Sequence, residues 1–420
     1  MMDSARADIL AARQHLQQQG WIARKSEAFH HLPPPALDQW LGAQGESGCE
    51  IPALSGAGWT LHPLHRPDGN HGASGIHARW LDAHDPAERS ELFAGLPRPG
   101  NTGVDGEAAP FAWAHRALCR LGLRLRISAT PGKEREPVWL ELRHQPRARA
   151  EAPLLVLEVD PGVQCVLIES HEREVGSCQH AVAQNLHAHI HLGAGAQLQH
   201  LRIAAPVADD SVAHHLHINV AAGAQYAQAL VATSAGYHLQ RSLVQLQGKG
   251  AQAHSAALLL AGAHKIDHQS YTRMQAAHSA STVETLTLAQ GKAHAVANAY
   301  TTIAAGADEA NVRQRLAGVP LSGNPRLILR PHLEILHDNV QAAHGATWGA
   351  LPEDALFYAR QRGLDEASAR SLIIEGMARA LLQRCLGQDD DGLLAQWLGG
   401  GWLARAIAVQ LQADVEVRHG

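Results

Sequence analysis

The chain has 420 residues, 45% of them hydrophobic, and a formal net charge of −5 with its 29 histidines neutral. A slightly acidic chain with no basic arm and no long block of like charge argues against a nucleic-acid-binding role. Its five cysteines (Cys49, Cys119, Cys165, Cys178 and Cys385) include no CxxC pair, which excludes a zinc ribbon and disfavours a disulfide framework.

The first turns carry Asp3, Arg6, Asp8 and Arg13, so they lack the apolar core of a signal peptide. No run of 18 or more apolar residues occurs, so no membrane span is expected. The expected compartment is the cytoplasm. Residues 4–19 space Ile9, Leu10 and Leu16 as a helix does, and Gly20 stops the run. Pro33, Pro34 and Pro35 break the chain, and Ala36 to Leu41 restarts a helix. Residues 42–105 read as irregular loops with short elements, and 110–121 as a helix. From Leu123 the period changes to two: LRLRI and VWLELR alternate, and LLVLEV at 154–159 is a strand buried on both faces.

The middle of the chain repeats. Ala194-Gly195-Ala196-Gln197, Ala222-Gly223-Ala224-Gln225, Lys249-Gly250-Ala251-Gln252 and Ala305-Gly306-Ala307-Asp308 are similar turns. Their glycines are spaced by 28, 27 and 56 residues; the last is a doubled interval whose middle member, near Ala277-His278, lacks glycine. Gly236, Gly262 and Gly291 add turns at roughly the half-step, and each unit carries an apolar strand. A fixed period in the twenties built from strands and glycine turns is the signature of a solenoid, whose units bury their apolar faces only by stacking. The predicted fold is mainly β: a right-handed parallel β-helix of about 28 residues per coil, with Gly195, Gly223, Gly250 and Gly306 at equivalent corners. The predicted divisions are an N-terminal helical or irregular region over 1–122, a β-helix core over 123–350 and a C-terminal helical domain over 351–420. In the last, a helix at 353–363 stops at Gly363, Asp365 caps the next, 388–392 is a loop and a final helix spans 393–409.

Candidate chemistry is sparse. His187, His189 and His191 form a His-x-His-x-His row able to bind zinc or copper, weighed against a solvated strand face, which is the preferred reading; His215 and His217 are read the same way. His264, Asp267 and His268 are read as a structural turn in which the carboxylate orients an imidazole, rather than as an acid–base cluster. Cys165 and Cys178 have no partner motif and take no role. Gly248-Lys249-Gly250 is not a phosphate loop, and no G-x-S-x-G elbow is present.

The most informative segment is Arg330 to Leu382. Pro331, Leu333, Glu334, Ile335, Asp338, Val340, His344, Gly345, Ala346, Thr347, Gly349, Phe357, Tyr358, Arg360, Arg362 and Gly363 follow a pattern of two strands, His-Gly-Ala-Thr and a Phe-Tyr-x-x-x-Arg-Gly helix. This run closely resembles the C-terminal part of SufD, of the SufB/SufD family of iron–sulfur cluster assembly proteins. Weaker similarity extends upstream through His264, Asp267 and His268 to about residue 110. Many relatives have a cysteine two residues before His-Gly; here it is Ala342.

The resemblance implies a non-catalytic scaffold in a SufBCD complex. It would pair with a SufB-like protein through the β-helices, with residues 331–347 as the pairing edge, and dock a SufC-like ATPase on Leu356, Phe357, Tyr358, Arg360, Arg362 and Gly363. His344 is the candidate metal ligand, at a transient iron–sulfur cluster on the SufB–SufD interface. No cofactor is expected to bind the isolated chain tightly, and that chain is expected to be able to homodimerise through its β-helix. Two other readings stand beside it: a secreted-type β-helix enzyme acting on polysaccharide, and a homomeric histidine-rich metal-binding scaffold.

Overall fold

The computed structural model describes residues 4–42, 58–64, 75–100, 105–129, 132, 136–173, 180–387 and 401–416. The strands form two sheets, one of nine and one of ten, and from Leu154–Val159 onward consecutive strands alternate between them. Neighbours within a sheet are therefore one coil apart in sequence. In the ten-stranded sheet Ala183 pairs with Ser211, and Ser211 with Tyr237, steps of 28 and 26 residues. In the nine-stranded sheet Gln197 pairs with Gln225, and Gln225 with Gln252, steps of 28 and 27. From Leu121–Ile127 and Val138–His144 onward the pairing is parallel, so the predicted β-solenoid is the fold.

The alternation of each strand explains its layers. In Ala183–Leu192, Leu186, Ala188, Ile190 and Leu192 point between the sheets, into the core they share with Leu167, Leu198 and Tyr226 of the other sheet. The outward side chains do not meet solvent. Across the outer face of the ten-stranded sheet lie α1 (Ser4–Gln19), α2 (Leu37–Leu41), α3 (Pro86–Leu92) and α4 (Ala109–Leu118), with Trp40 and Phe111 against Ala213, Tyr237 and Leu239. On the outer face of the nine-stranded sheet, α6 (Glu366–Leu386) lays Ile374, Ala378, Leu381 and Leu382 on Leu201, Val231, Leu258 and Leu286. The short α5 (Glu353–Gln361) precedes it, and α7 (Trp402–Glu416) adds Leu403 and Ile407 to the same layer. Asp365 caps α6 by accepting from the Ser368 N–H at 2.7 Å. Of the predicted last helix at 393–409, the described part from Trp402 is helical and continues to Glu416; residues 393–400 and the proposed loop at 388–392 lie outside the described residues, as do Cys49 and Cys178.

The corner turns stack through backbone hydrogen bonds. The Gly195 N–H donates to Ala222 O, Gly223 to Lys249 O and Gly250 to Ala277 O, at 2.9, 3.0 and 3.0 Å. These glycines have φ of 68, 65 and 71°, and nothing lies within 4 Å of an added Cβ, so the backbone angle rather than crowding selects them. The glycine-free member is His278, at φ 57°, whose N–H continues the stack to Asp308 O. The next position in the stack is Glu309, at φ 54°, and not Gly306. Gly306 follows Ile303 as Gly195 follows Leu192, but this corner is longer and the ladder passes through the later residue.

The two ends of the solenoid differ. At its start, Trp59–Pro63 pairs antiparallel on Val138–His144, and Ile76–Asp82 antiparallel on Leu121–Ile127. At its finish both sheets stop at strands with one neighbour each: Arg326–Ile335 against His294–Ile303, and Val340–Trp348 against Ala310–Pro320.

Candidate functional site

The open end is built by these last two strands. Each leaves one row of backbone N–H and C=O groups without a strand partner among the described residues, an arrangement that templates the addition of another strand. Their side chains are far more exposed than those of any inner coil. Ile335, Leu336 and Trp348 are 44, 57 and 66% exposed, large apolar groups left facing water.

His344 lies on the outermost strand in register with Gln314. Gln314 points between the sheets, donating to Thr301 Oγ1 at 2.9 Å and to the His332 carbonyl at 3.0 Å. His344 therefore shares the interior-facing row with Val340 and Ala342 and sits, exposed, at the mouth of the space between the sheets. Ala342 is in register with Val312, so the position where relatives carry a thiol is one coil above buried hydrocarbon.

Leu356, Phe357, Tyr358, Arg360, Arg362 and Gly363 fall on or just after α5. Leu356 is tucked against the layer under α6, while Phe357 and Tyr358 are 66 and 61% exposed. Arg362 donates to Tyr358 Oη at 2.7 Å, and the Gly363 N–H donates to Arg360 O as the helix ends at φ 90°. Leu364 and Leu372 are also exposed, at 37 and 58%.

Two sequence readings are corrected. Asp267 and His268 are not in a turn: they lie inside the strand Lys265–Met274, buried, and only His264 occupies the bend before it. Asp267 accepts from Gln269 Nε2 at 2.8 Å, and burial, opposed by that bond and by Arg241 and Arg330, lifts its carboxyl to about 7. The histidine row is not solvated either. His187, His189, His215 and His217 face outward from their sheet but are buried beneath α4 and the segment before it. An alternating strand gives the face of each side chain; it does not say whether a helix from 70 or more residues earlier covers that face.

Sequence reasoning also missed a polar network between the sheets. Glu169 is fully buried and accepts from His171, His200 and Arg202; Arg202 donates to Gln240 Oε1 at 3.0 Å and His214 Nε2 donates to Gln184 Oε1 at 2.7 Å. No local spacing announces it, because its members come from different coils.

Residues 143–377 match the family described as SUF system FeS cluster assembly, SufBD core domain. An iron–sulfur cluster assembly SufBD family protein of Synechocystis is 29% identical over 252 residues, 58% of this chain and 55% of that protein. The Escherichia coli iron–sulfur cluster assembly protein SufD is 38% identical over 69 residues, 16% of each chain. The chloroplastic protein ABCI7 of Arabidopsis thaliana is 31% identical over 78 residues, 19% of this chain and 16% of that one. The matched region spans about half the length of the first of these relatives and a smaller part of the others.

Proposed function

Since the chain belongs to the SufBD core family of SUF-system iron–sulfur cluster assembly proteins, we propose that it is a SufD-like, non-catalytic scaffold of a cytoplasmic SufBCD complex. The carrying observation is the asymmetry of the solenoid. Among the described residues each end finishes in two strands with one neighbour apiece, but the first end has short antiparallel strands of five and seven residues, and the other has parallel strands of ten and nine residues flanked by the exposed Ile335, Leu336 and Trp348. A SufB-like protein pairing on Arg326–Ile335 and Val340–Trp348 would continue both sheets across the interface. In its absence a second copy of this chain would take the same edges.

The chemistry follows from position. His344 offers an imidazole nitrogen where the paired sheets would meet, and thiolates of the partner would complete an iron site. With Ala342 in place of a cysteine, this chain would supply nitrogen and its partner sulfur. Backbone hydrogen bonds at a strand edge contribute only about 0.5–1.5 kcal/mol each net, so a partner that pulls on α5 and α6 can part the edges and admit or release a transient cluster. That partner is a SufC-like ATPase, seated on Phe357 and Tyr358 with Arg360 and Arg362 at the rim.

Co-expression of the untagged chain with tagged SufB-like and SufC-like proteins tests this. Both should co-purify in stoichiometric amount. Replacing Ala342 and Leu333 by lysine should release the SufB-like partner and keep the ATPase. Purification of the unaltered chain alone, with neither partner bound, would reject the reading.

A further inference from the structure

The structure assigns a buried site for a divalent transition-metal ion, zinc or ferrous iron, to His187, His189 and His217. These side chains come from neighbouring strands of the ten-stranded sheet, where His189 is in register with His217, and His187 with His215. Each brings one ring nitrogen within 4.8 Å of the other two. All three residues are more than nine-tenths buried, at 3, 8 and 7% exposure. Among the described residues no other group of three histidine, cysteine or acidic side chains is so placed.

Burial alone makes a histidine core; here the hydrogen bonding points to a ligand. His217 Nε2 lies 3.3 Å from Asp105 Oδ1. A carboxylate on one ring nitrogen fixes the tautomer that leaves the other as a lone-pair donor, the arrangement that metal-bound histidines use. That other atom, His217 Nδ1, is buried without a hydrogen-bond partner, and so is His187 Nε2. Buried polar groups are normally hydrogen-bonded; other buried ring nitrogens such as His215 Nε2 and His268 Nδ1 also go without a partner, but these two belong to one three-histidine cluster. The site adjoins a small cavity of about 30 Å³, bounded by Asp105, His115 and Arg116, which has room for an ion or one water. Tetrahedral bonds of about 2.0–2.1 Å hold ligand nitrogens roughly 3.4 Å apart. The ligand nitrogens, now within 4.8 Å of one another, would close by up to about 1.4 Å on binding, and the rings of His189 and His217, 10° from parallel, would tilt so that their in-plane lone pairs converge on the ion. Three neutral imidazoles, with the carboxylate behind one of them, suit zinc or ferrous ion better than calcium or magnesium, which take oxygen ligands.

This site is separate from His344 and from the open end. It departs from the sequence expectation that no group binds the isolated chain tightly. It would tie the segment bearing Asp105 to the sheet beneath α4.

The test uses the untagged full-length chain, stripped with a chelator and titrated with Co²⁺ and with Zn²⁺. Expected are close to one equivalent of tightly held metal by elemental analysis, the intense visible bands of a tetrahedral cobalt centre, and their displacement by Zn²⁺. His189→Gln and His217→Gln should each lower affinity by on the order of 10²-fold or more, while His84→Gln, at an exposed histidine, changes nothing. Asp105→Asn should weaken binding on the order of tenfold, as loss of a supporting carboxylate does. Circular dichroism of each metal-free variant shows whether it is folded. A folded wild-type chain that takes up no tight equivalent, or folded His189 and His217 variants that keep it, would overturn the assignment. Partner co-purification is a separate readout that this result leaves standing.

Discussion

Glu169 and Arg202 are register partners in adjacent coils, and their side chains meet as an ion pair at 3.2 Å with 0 and 1% exposure. Burial raises the Glu169 carboxyl, but Arg202, His171 and His200 outweigh it and hold the group well below the usual range. Removing one partner of such a pair strands a charge in a dry interior. Arg202→Met should therefore cost about 3–5 kcal/mol. The double variant Glu169→Leu, Arg202→Met should recover much of that, because two apolar groups leave no orphan charge. Equilibrium denaturation of both checks this; a double variant as weak as the single one contradicts it.

Acid should destabilise the chain earlier than its carboxylates alone would. Burial, against the pull of a backbone hydrogen bond, lowers His115 to about 3 and His238 to about 4; burial lowers His268 to about 4. Burial and neighbouring imidazoles also hold His187, His189, His214 and His215 well below 6.5. These groups stay neutral in the fold, whereas the unfolded chain binds protons below its ordinary histidine pKa. Stability is then complete above about pH 6.5 and falls as pH drops toward the folded values. Each such histidine contributes about 1.4 kcal/mol of loss per pH unit in that window. Asp267 and Glu151, lifted by burial to about 7, act in the opposite sense but are fewer. Denaturation midpoints should change little from pH 8 to 7 and drop steeply from 6.5 to 5. A flat profile there would contradict the burial of these imidazoles.

That acid response was not visible in the sequence, and the reason is general to the fold. Glycine turns near 195, 223 and 250 and the alternation of residues 185–192 gave the coil and the face of each side chain, because both are local consequences of backbone geometry. They also marked the vacancy at Ala277-His278, where His278 takes the left-handed angle in place of glycine. Gly306 was misplaced because the corner lengthens before Asn311, and a period cannot show an insertion of that size. The outer layer was not legible: whether His187 meets water or His115, and His215 water or Phe111, depends on α4 folding back over the sheet. The open end was legible through the motif around His344, and not through any physical signal in residues 326–348.

Asp267 gives a test with a defined sign. Its Oδ1 is buried without a partner and its carboxyl is lifted by burial, so the charged form is disfavoured in the fold. Above the unfolded pKa near 4 the folded chain loses stability as pH rises toward 7, and no more beyond. Asp267→Asn removes that loss while keeping an acceptor for Gln269 Nε2. Allowing for one new buried amide donor, the variant should exceed wild type by about 2 kcal/mol at pH 8. The advantage should shrink steadily between pH 7 and 4. An advantage independent of pH would mean that packing, not ionisation, is responsible.

The C-terminal helices separate core from the proposed docking surface. Leu382 is fully buried on the nine-stranded sheet, and Phe357 is 66% exposed. Leu382→Ala should cost about 2–5 kcal/mol through the cavity it leaves. Phe357→Asp should stay within about 0.5 kcal/mol of wild type and yet lose the ATPase partner. Deleting 353–420 would strip the cover from Leu201, Val231, Leu258 and Leu286, so the truncated chain should aggregate rather than persist as a bare solenoid. A soluble, monomeric truncation would show that these helices are dispensable to the fold.

His344 carries the most specific expectation. It is exposed on a terminal strand and occupies the row that faces between the sheets, so its imidazole contributes little packing. His344→Ala should leave thermal stability within about 0.5 kcal/mol of wild type and should leave partner co-purification intact, since strand pairing uses the backbone. Cluster formation in the reconstituted complex should nonetheless fall on the order of tenfold or more, because an iron site built on one nitrogen and partner thiolates loses its nitrogen. His187 and His189 are unsuitable controls: both are buried, and replacing them disturbs the layer beneath α4. The exposed His84 is the matched control, and His84→Ala should leave cluster formation unchanged. His344→Cys separates ligation from shape. A thiolate can take the imidazole's place on iron, so the cysteine variant should recover part of the lost assembly, while an effect on packing or on the strand edge would not be rescued. Undiminished assembly in His344→Ala would remove this residue from the site and leave the open end as a pairing surface only.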